Sequence, residues 1–143
     1  MSEQDNIKAA QAFIEAWNAG DLSRGDAYEA DDLMAEGPGA PGPMNKQQAR
    51  QYNQNFLTAF PGSKFEVTLT VAQGDYVVTH WKASGAHNGP LATPSGGAIP
   101  PTGKMATVMG STTAEVKNGK ITRSWNFWDM TSLLTQLGLM PPM

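Results

Sequence analysis

Hydrophobic positions recur every three or four residues in the first part of the chain and every two in the second. Ile7, Ala10, Ile14 and Trp17 fall on one stripe, widened by Phe13, and predict an amphipathic helix that stops at Gly20. Leu22–Tyr28 is a shorter helix candidate. Asn45–Phe60 gives the clearest pattern: Ala49, Tyr52, Phe56 and Phe60 share a face. There Asn45 and Gln48 have the spacing of a capping box, Met44 and Ala49 that of a hydrophobic staple, and Pro61-Gly62 ends the helix.

From Lys64 the period is two. Phe65, Val67, Leu69 and Val71 alternate with polar residues, as a half-buried strand requires. Taking Gln73-Gly74-Asp75 as the loop to a second strand, Tyr76–Ser84, sets Val67 opposite Trp81, Leu69 opposite Thr79 and Glu66 opposite Lys82. A two-residue loop would set Val67 against Lys82, so the three-residue loop is preferred. A third strand, Met105–Lys117, turns at Asn118-Gly119 into a fourth, Lys120–Met130. An unbroken register from that turn places Val116 opposite Ile121, Ala114 opposite Arg123, Thr112 opposite Trp125, Gly110 opposite Phe127 and Val108 opposite Asp129. The other face carries Ser111, Thr113, Glu115, Thr122, Ser124 and Asn126. A last helix, Thr131–Leu137, ends at Gly138. Helices followed by antiparallel strands indicate an α+β fold, with the helices covering the apolar face of the sheet.

Composition narrows the function. A chain of 143 residues with 40% apolar and 16% charged side chains suits one globular domain spanning 1–143. No apolar run is long enough for a membrane span, and the polar, acidic start is not a secretory or mitochondrial address, so a soluble cytoplasmic protein is expected. The absence of cysteine excludes disulfides, thiolate zinc sites and cysteine nucleophiles. Ten Lys and Arg against 13 Asp and Glu, with the basic residues scattered, leave no patch for a nucleic acid. Nine of the 13 carboxylates lie in residues 3–36. Gly and Pro concentrate in Gly37–Pro43 and Gly85–Gly103, two loops long enough to be functional.

In that register Asp129 points indoors with Trp125 and Phe127, where desolvation would raise its pKa toward the range useful for proton transfer. Gly110 opposite Phe127 leaves space beside it. Asp129 also directly precedes Met-Thr-Ser-Leu-Leu, so capping the last helix, or pairing with Arg123, explains it as well. A β-bulge in these strands would reverse the parity and turn Asn126 inward instead. His80 falls on the polar face beside Lys82 and Glu66. His87 enters the long loop on the parity of Trp81, as an acid–base candidate or as a residue that holds the loop backbone. Trp81 and Trp125 could flank a planar ligand. Gly97–Lys104 misses the phosphate-loop spacing by one residue, and no metalloprotease, nucleophile-elbow or dinucleotide motif is present. With the two histidines on opposite parities a metal site is not expected, which leaves acid–base work without a cofactor.

Several segments, taken in order, resemble the SnoaL-like polyketide cyclase family over nearly the whole chain. They are Ala16-Trp17-Asn18-Ala19-Gly20-Asp21, His87-Asn88-Gly89-Pro90, Pro100-Pro101-Thr102-Gly103-Lys104, Asn118-Gly119-Lys120-Ile121, Trp125 with Asp129, and Leu134-x-Gln136-Leu137-Gly138. The resemblance implies an NTF2-like cone, in which a curved sheet wraps on helices around a deep apolar pocket, and a homodimer or higher homo-oligomer. It further implies ring closure by intramolecular aldol condensation, with an aspartate as acid–base and no cofactor. Asp129 matches that aspartate and His87 a polar pocket partner; if the match is Asn126, the chain lacks the base. The function expected is a cyclase, or a related lyase or isomerase, acting on a small apolar carbonyl compound. Asp129 would remove the α-proton and His87 stabilise the enolate, while Trp81, Trp125, Phe127, Gly110 and Thr112 line the pocket. The alternatives are a non-catalytic pocket for a small hydrophobic ligand, with Asp129 as helix cap, and a dimerising module whose cone is filled.

Overall fold

The structure, a computed structural model, describes residues 2–93 and 96–140, so Pro94 and Ser95 of the expected long loop lie outside the described residues. The stripe from Ile7 to Trp17 forms two helices, α1 (Glu3–Ala10) and α2 (Ala12–Asn18), rather than one. They part at Gln11, whose backbone sits at φ −100° and ψ 3° and whose side-chain amide donates to Thr70 Oγ1 at 2.8 Å. A 3-10 segment follows over Leu22–Tyr28. It leads into a strand the hydrophobic pattern does not announce, β1 (Glu29–Glu36). Its sequence, EADDLMAE, holds no β-branched residue, so local propensity argues against a strand. Burial of Leu33 and Ala35 and pairing with a distant strand override that preference. In α3 (Lys46–Ala59) the Asn45 and Gln48 side chains cap each other's backbone N–H, as their spacing predicts, and Met44 packs with Ala49 and Ala35.

Six further strands follow: β2 (Lys64–Gln73), β3 (Tyr76–Ala86), β4 (Leu91–Ala92), β5 (Ala98–Ile99), β6 (Met105–Lys117) and β7 (Lys120–Trp128). The main sheet has the order β1-β7-β6-β3-β2; only the β1–β7 pair is parallel. β4 and β5 form a small separate pair. α4 (Met130–Gln136) is the last element of the described residues. Helices cover the inner face of the sheet: Ala9 and Ala10 of α1 bury against Leu33, Val77, Ala114, Val116 and Ile121. At the other end Ala59, Phe60, Leu91, Ala106, Leu133 and Leu137 form a second cluster.

Two β-bulges correct the expected registers. Between β2 and β3 the turn has two residues, Gly74-Asp75, because Gly74 takes a positive φ of 58°. Leu69 therefore faces His80, not Thr79, and a register shift at Thr68 then restores the expected pairs Val67–Trp81 and Glu66–Lys82. Leu69 and Val71 turn outward as a result, 49% and 52% exposed. Between β6 and β7 the Asn118-Gly119 turn and the Val116–Ile121 pair are as predicted. Thr122 is then an extra residue, and beyond it Glu115 faces Arg123, Thr113 faces Trp125, Thr112 faces Asn126 and Gly110 faces Trp128. The Thr122 hydroxyl fastens the bulge by donating to Glu115 Oε1 at 2.7 Å. Because strand side chains alternate, this one-residue slip exchanges the faces of the rest of β7. Ser124, Asn126 and Trp128 point indoors; Trp125 and Phe127 do not.

Candidate active site

Between α3 and the inner face of the sheet lies a cavity of about 150 Å³. A dry space of this order admits a ring the size of benzene. Successive turns of α3 place Ala49, Tyr52, Asn53 and Phe56 on its wall, the spacing of one helix face. Opposite them, Phe65 packs 4.7 Å from Trp81 and 5.0 Å from Trp17, and Phe56 meets Trp128 edge-on at 5.2 Å. The wall is thus mainly aromatic and aliphatic, as small-ligand sites are.

Four polar side chains on this wall, Trp81, Thr112, Asn126 and Ser124, form one directed row. Trp81 Nε1 donates to Thr112 Oγ1 at 3.0 Å, and Thr112 donates to Asn126 Oδ1 at 2.8 Å. Asn126 Nδ2 in turn donates to the Glu36 carbonyl at 2.9 Å and to Ser124 Oγ at 3.1 Å. Every N–H of Trp81 and Asn126 is therefore committed to protein acceptors, and the amide is locked in one orientation. Ser124 accepts from the row and keeps its own O–H to give; Ser63, which accepts from Trp17 Nε1 at 2.9 Å, is in the same position. The Asn53 side chain makes no hydrogen bond among the described residues.

Only two ionisable groups lie among the described residues of the wall, Glu29 and Tyr52. Burial pushes the Tyr52 phenol up to about 12, against a smaller pull from the Trp128 indole, so the phenol stays neutral. It donates to the Pro38 carbonyl at 2.7 Å. Burial also raises the Glu29 carboxyl above its ordinary value; Arg50 most, then Lys46, hold it down, and Asp26 adds a small upward push. Glu29 Oε1 accepts from Arg50 Nη2 at 3.2 Å, and the same guanidinium pairs with Asp26. Among the described residues no three His, Asp or Glu side chains converge as metal ligands.

The residue pattern of the SnoaL-like polyketide cyclase family matches residues 7–137. The chain belongs to that family. Among solved structures, this SnoaL-like chain is similar to AclR, a proposed hydroxylase of Streptomyces galilaeus. The two share 22% identity over 99% of this chain and 90% of that one, with a TM-score of 0.84. IdmH, a proposed polyketide cyclase of Streptomyces antibioticus, is 27% identical over 96% of this chain and 99% of its own, with a TM-score of 0.77. A proposed SnoaL-like polyketide cyclase of Jannaschia sp. CCS1 is 19% identical over 98% and 95%, with a TM-score of 0.83. No curated protein sequence matches significantly. The SnoaL-like fold is of the NTF2 and ketosteroid-isomerase type, with helices packed against a curved, mostly antiparallel sheet. Among the described residues no helix is long and apolar enough to cross a membrane.

The residues singled out from the SnoaL-like sequence go to different places. Trp81 and Thr112 line the cavity. Asp129 does not point indoors: it is exposed and caps α4, with Oδ1 accepting from Ser132 N at 3.0 Å. Trp125 and Phe127 leave the cavity wall for the same reason, the Thr122 bulge, and Phe127 is 66% exposed. Nor does Gly110 open a hollow. A Cβ there would come within 2.6 Å of Trp81 Cζ2 and of the Phe127 carbonyl, so glycine is what lets the indole lie flat against β6. His87 is fully buried but off the cavity wall. Its N–H donates to Lys104 O at 2.9 Å, its C=O accepts from Gly103 at 2.8 Å, and Nδ1 accepts from Thr102 N at 3.2 Å. Burial lowers its pKa, with the Gly89 carbonyl acting the other way, which keeps the ring neutral near pH 7. His87 is a clasp between the two limbs of the Gly85–Gly103 loop. That loop rests on the end of α3, where Gly89 N donates to Ala59 O at 3.0 Å, and among its described residues only Gly85 reaches the cavity.

Reading the sequence missed Glu29, Trp17, Ser63 and Ser124 as wall residues. Ser124 follows from the bulge. Glu29 carried one signal, the crowding of acids before residue 37, but without a strand there nothing tied it to the interior.

Proposed function

We propose that this chain is a cyclase-type catalyst, independent of cofactors, that encloses a small apolar carbonyl compound and closes a ring within it by acid–base chemistry. The observation that carries this reading is the aromatic cavity with a fixed polar row along one side. An apolar enclosure folds a flexible chain so that its two reacting carbons meet, which replaces an improbable encounter by an intramolecular one. The free hydroxyl hydrogens of Ser63 and Ser124 suit the oxygen on which charge builds as an enolate forms. Membership of the SnoaL-like family supports the same reaction class.

Heptane-2,6-dione is a neutral probe whose ring closure gives methylcyclohexenone. The chain is expected to bind it, seen as quenching of tryptophan fluorescence and a higher melting temperature, and to accelerate its closure over buffer. Binding without acceleration would leave a ligand-binding pocket. Failure to bind this dione, or any neutral ketone of its size, would remove the reading altogether.

A further inference from the structure

We propose that Glu29, held by Arg50 at the cavity wall, is the residue that moves the proton in this chain, and that its substrate is an uncharged dicarbonyl compound. The inference rests on the cyclase reading above. Three features of the fold place the group. Its backbone is pinned on both sides: Glu29 N donates to Asp26 O at the end of the 3-10 segment, and its carbonyl accepts from Lys46 Nζ at 3.3 Å. It also opens β1 by pairing with Ile121, after which the register is irregular as far as Met34. Arg50 binds Oε1 and leaves Oε2 without a partner among the described residues. A carboxylate with one oxygen anchored and the other free is the arrangement a general base needs.

The alternatives on this wall fall away on chemistry. The Tyr52 phenol keeps its proton, and the Asn126 amide is committed on both N–H groups. Asp129 faces solvent. The substrate class follows from the cations. Arg50 is shared between Asp26 and Glu29, and Lys46 is taken by the Glu29 carbonyl and Asp31. Among the described residues no cation is left over to receive a substrate carboxylate beside Glu29.

The step balances without a co-reactant. Glu29 takes the proton from the carbon next to one carbonyl. The electron pair of that C–H bond forms the new carbon–carbon bond at the second carbonyl carbon of the same molecule. The π pair of that second carbonyl moves to its oxygen, which takes the proton back from Glu29. The product is an isomer, a cyclic hydroxyketone, which then loses water.

The test compares wild type with Glu29→Gln, Glu29→Asp and Arg50→Gln, using closure of heptane-2,6-dione and deuterium exchange at its α-carbons in heavy water. Glu29→Gln is expected to bind the dione with unchanged affinity and lose both reactions by about 100-fold or more. Glu29→Asp, the check if the Gln variant does not fold, is expected to lose about tenfold while the rate still rises with pH through one titration. Arg50→Gln removes the cation that favours the carboxylate, so the rising limb should move to higher pH; Lys46 and Asp26, which also face Glu29, stay in place. Wild-type rates in either Glu29 variant, or an unmoved limb in Arg50→Gln, would overturn the assignment while the cyclase reading stands. A wild-type chain that binds the dione yet catalyses neither reaction would end both.

Discussion

Replacing Asn126 by Asp changes one nitrogen for one oxygen and has a consequence that can be worked out with its sign. In the native row Asn126 accepts from Thr112 at 2.8 Å and donates to the Glu36 carbonyl at 2.9 Å and Ser124 Oγ at 3.1 Å. A carboxyl keeps the first bond. Ser124 can rotate its hydroxyl and become a donor, but the Glu36 carbonyl can only accept, so the ionised form sets two oxygens against each other. Only the protonated form restores that bond, and the aromatic wall disfavours the anion as well. The folded-state pKa of the new carboxyl should therefore lie above the ~3.9 of an unfolded Asp. Between those two values the native chain holds the proton that the unfolded chain has released, so stability falls as pH rises. The slope approaches about 1.4 kcal/mol per pH unit and flattens once the folded pKa is passed. A rise of about two units would cost about 3 kcal/mol at neutrality, or about 8 °C in melting temperature for a chain of this size. Thermal unfolding of both proteins from about pH 4 to about pH 8 isolates the effect, because the difference between them cancels the titrations they share. A difference that stays constant across that range would show that Asn126 does not donate to the Glu36 carbonyl, and the reading of the polar row would fail.

Two further outcomes follow from the site. Asp129→Ala should lower stability by about 1 kcal/mol through loss of the α4 cap, Asp129→Asn should be nearly neutral, and neither should change dione binding. Titration of the probe by fluorescence checks this, and loss of binding in the Asn variant would return Asp129 to the site. Gly110→Ala should cost about 1–3 kcal/mol by pushing on Trp81, and Trp81→Phe, which removes the clashing Cζ2 and Cη2 atoms, should recover part of it. Denaturant unfolding of the four proteins gives the coupling; strictly additive effects would mean the close approach is not there.

How far the fold could be read depended on where its information is local. The start of α3 is written in residues three apart, Asn45 and Gln48, whose side chains satisfy each other's backbone, so it was legible. The inner row of β6, from Val108 to Val116, was legible because the Asn118-Gly119 turn sets the phase, with Val108, Ala114 and Val116 on one parity and Ser111, Thr113 and Glu115 on the other. β1 was not, because its pairing with β7 reaches across some 90 residues and its own sequence favours solvent. The family resemblance supplied the fold without supplying the register. At the site one residue decided the outcome. Alternation is reliable only until a strand gains a residue, and Thr122 resembles any other threonine until its hydroxyl is seen on Glu115. Asp129, Trp125 and Phe127 were misplaced together by that single slip, while Trp81 and Thr112, on strands read in the correct phase at that point, were not.

The bulge also ties the interior of this protein to its exterior. The shift that brings an amide and a hydroxyl indoors from β7 must send two rings out, since neighbours on a strand cannot share a side. Polarity gained by the cavity is thus matched by greasiness on the back of the sheet, where Phe127 and Met109 stand 66% and 73% uncovered. A designer wishing to make the chain less sticky can recolour that back surface residue by residue without disturbing the chamber, whereas losing Thr122 would turn the strand inside out.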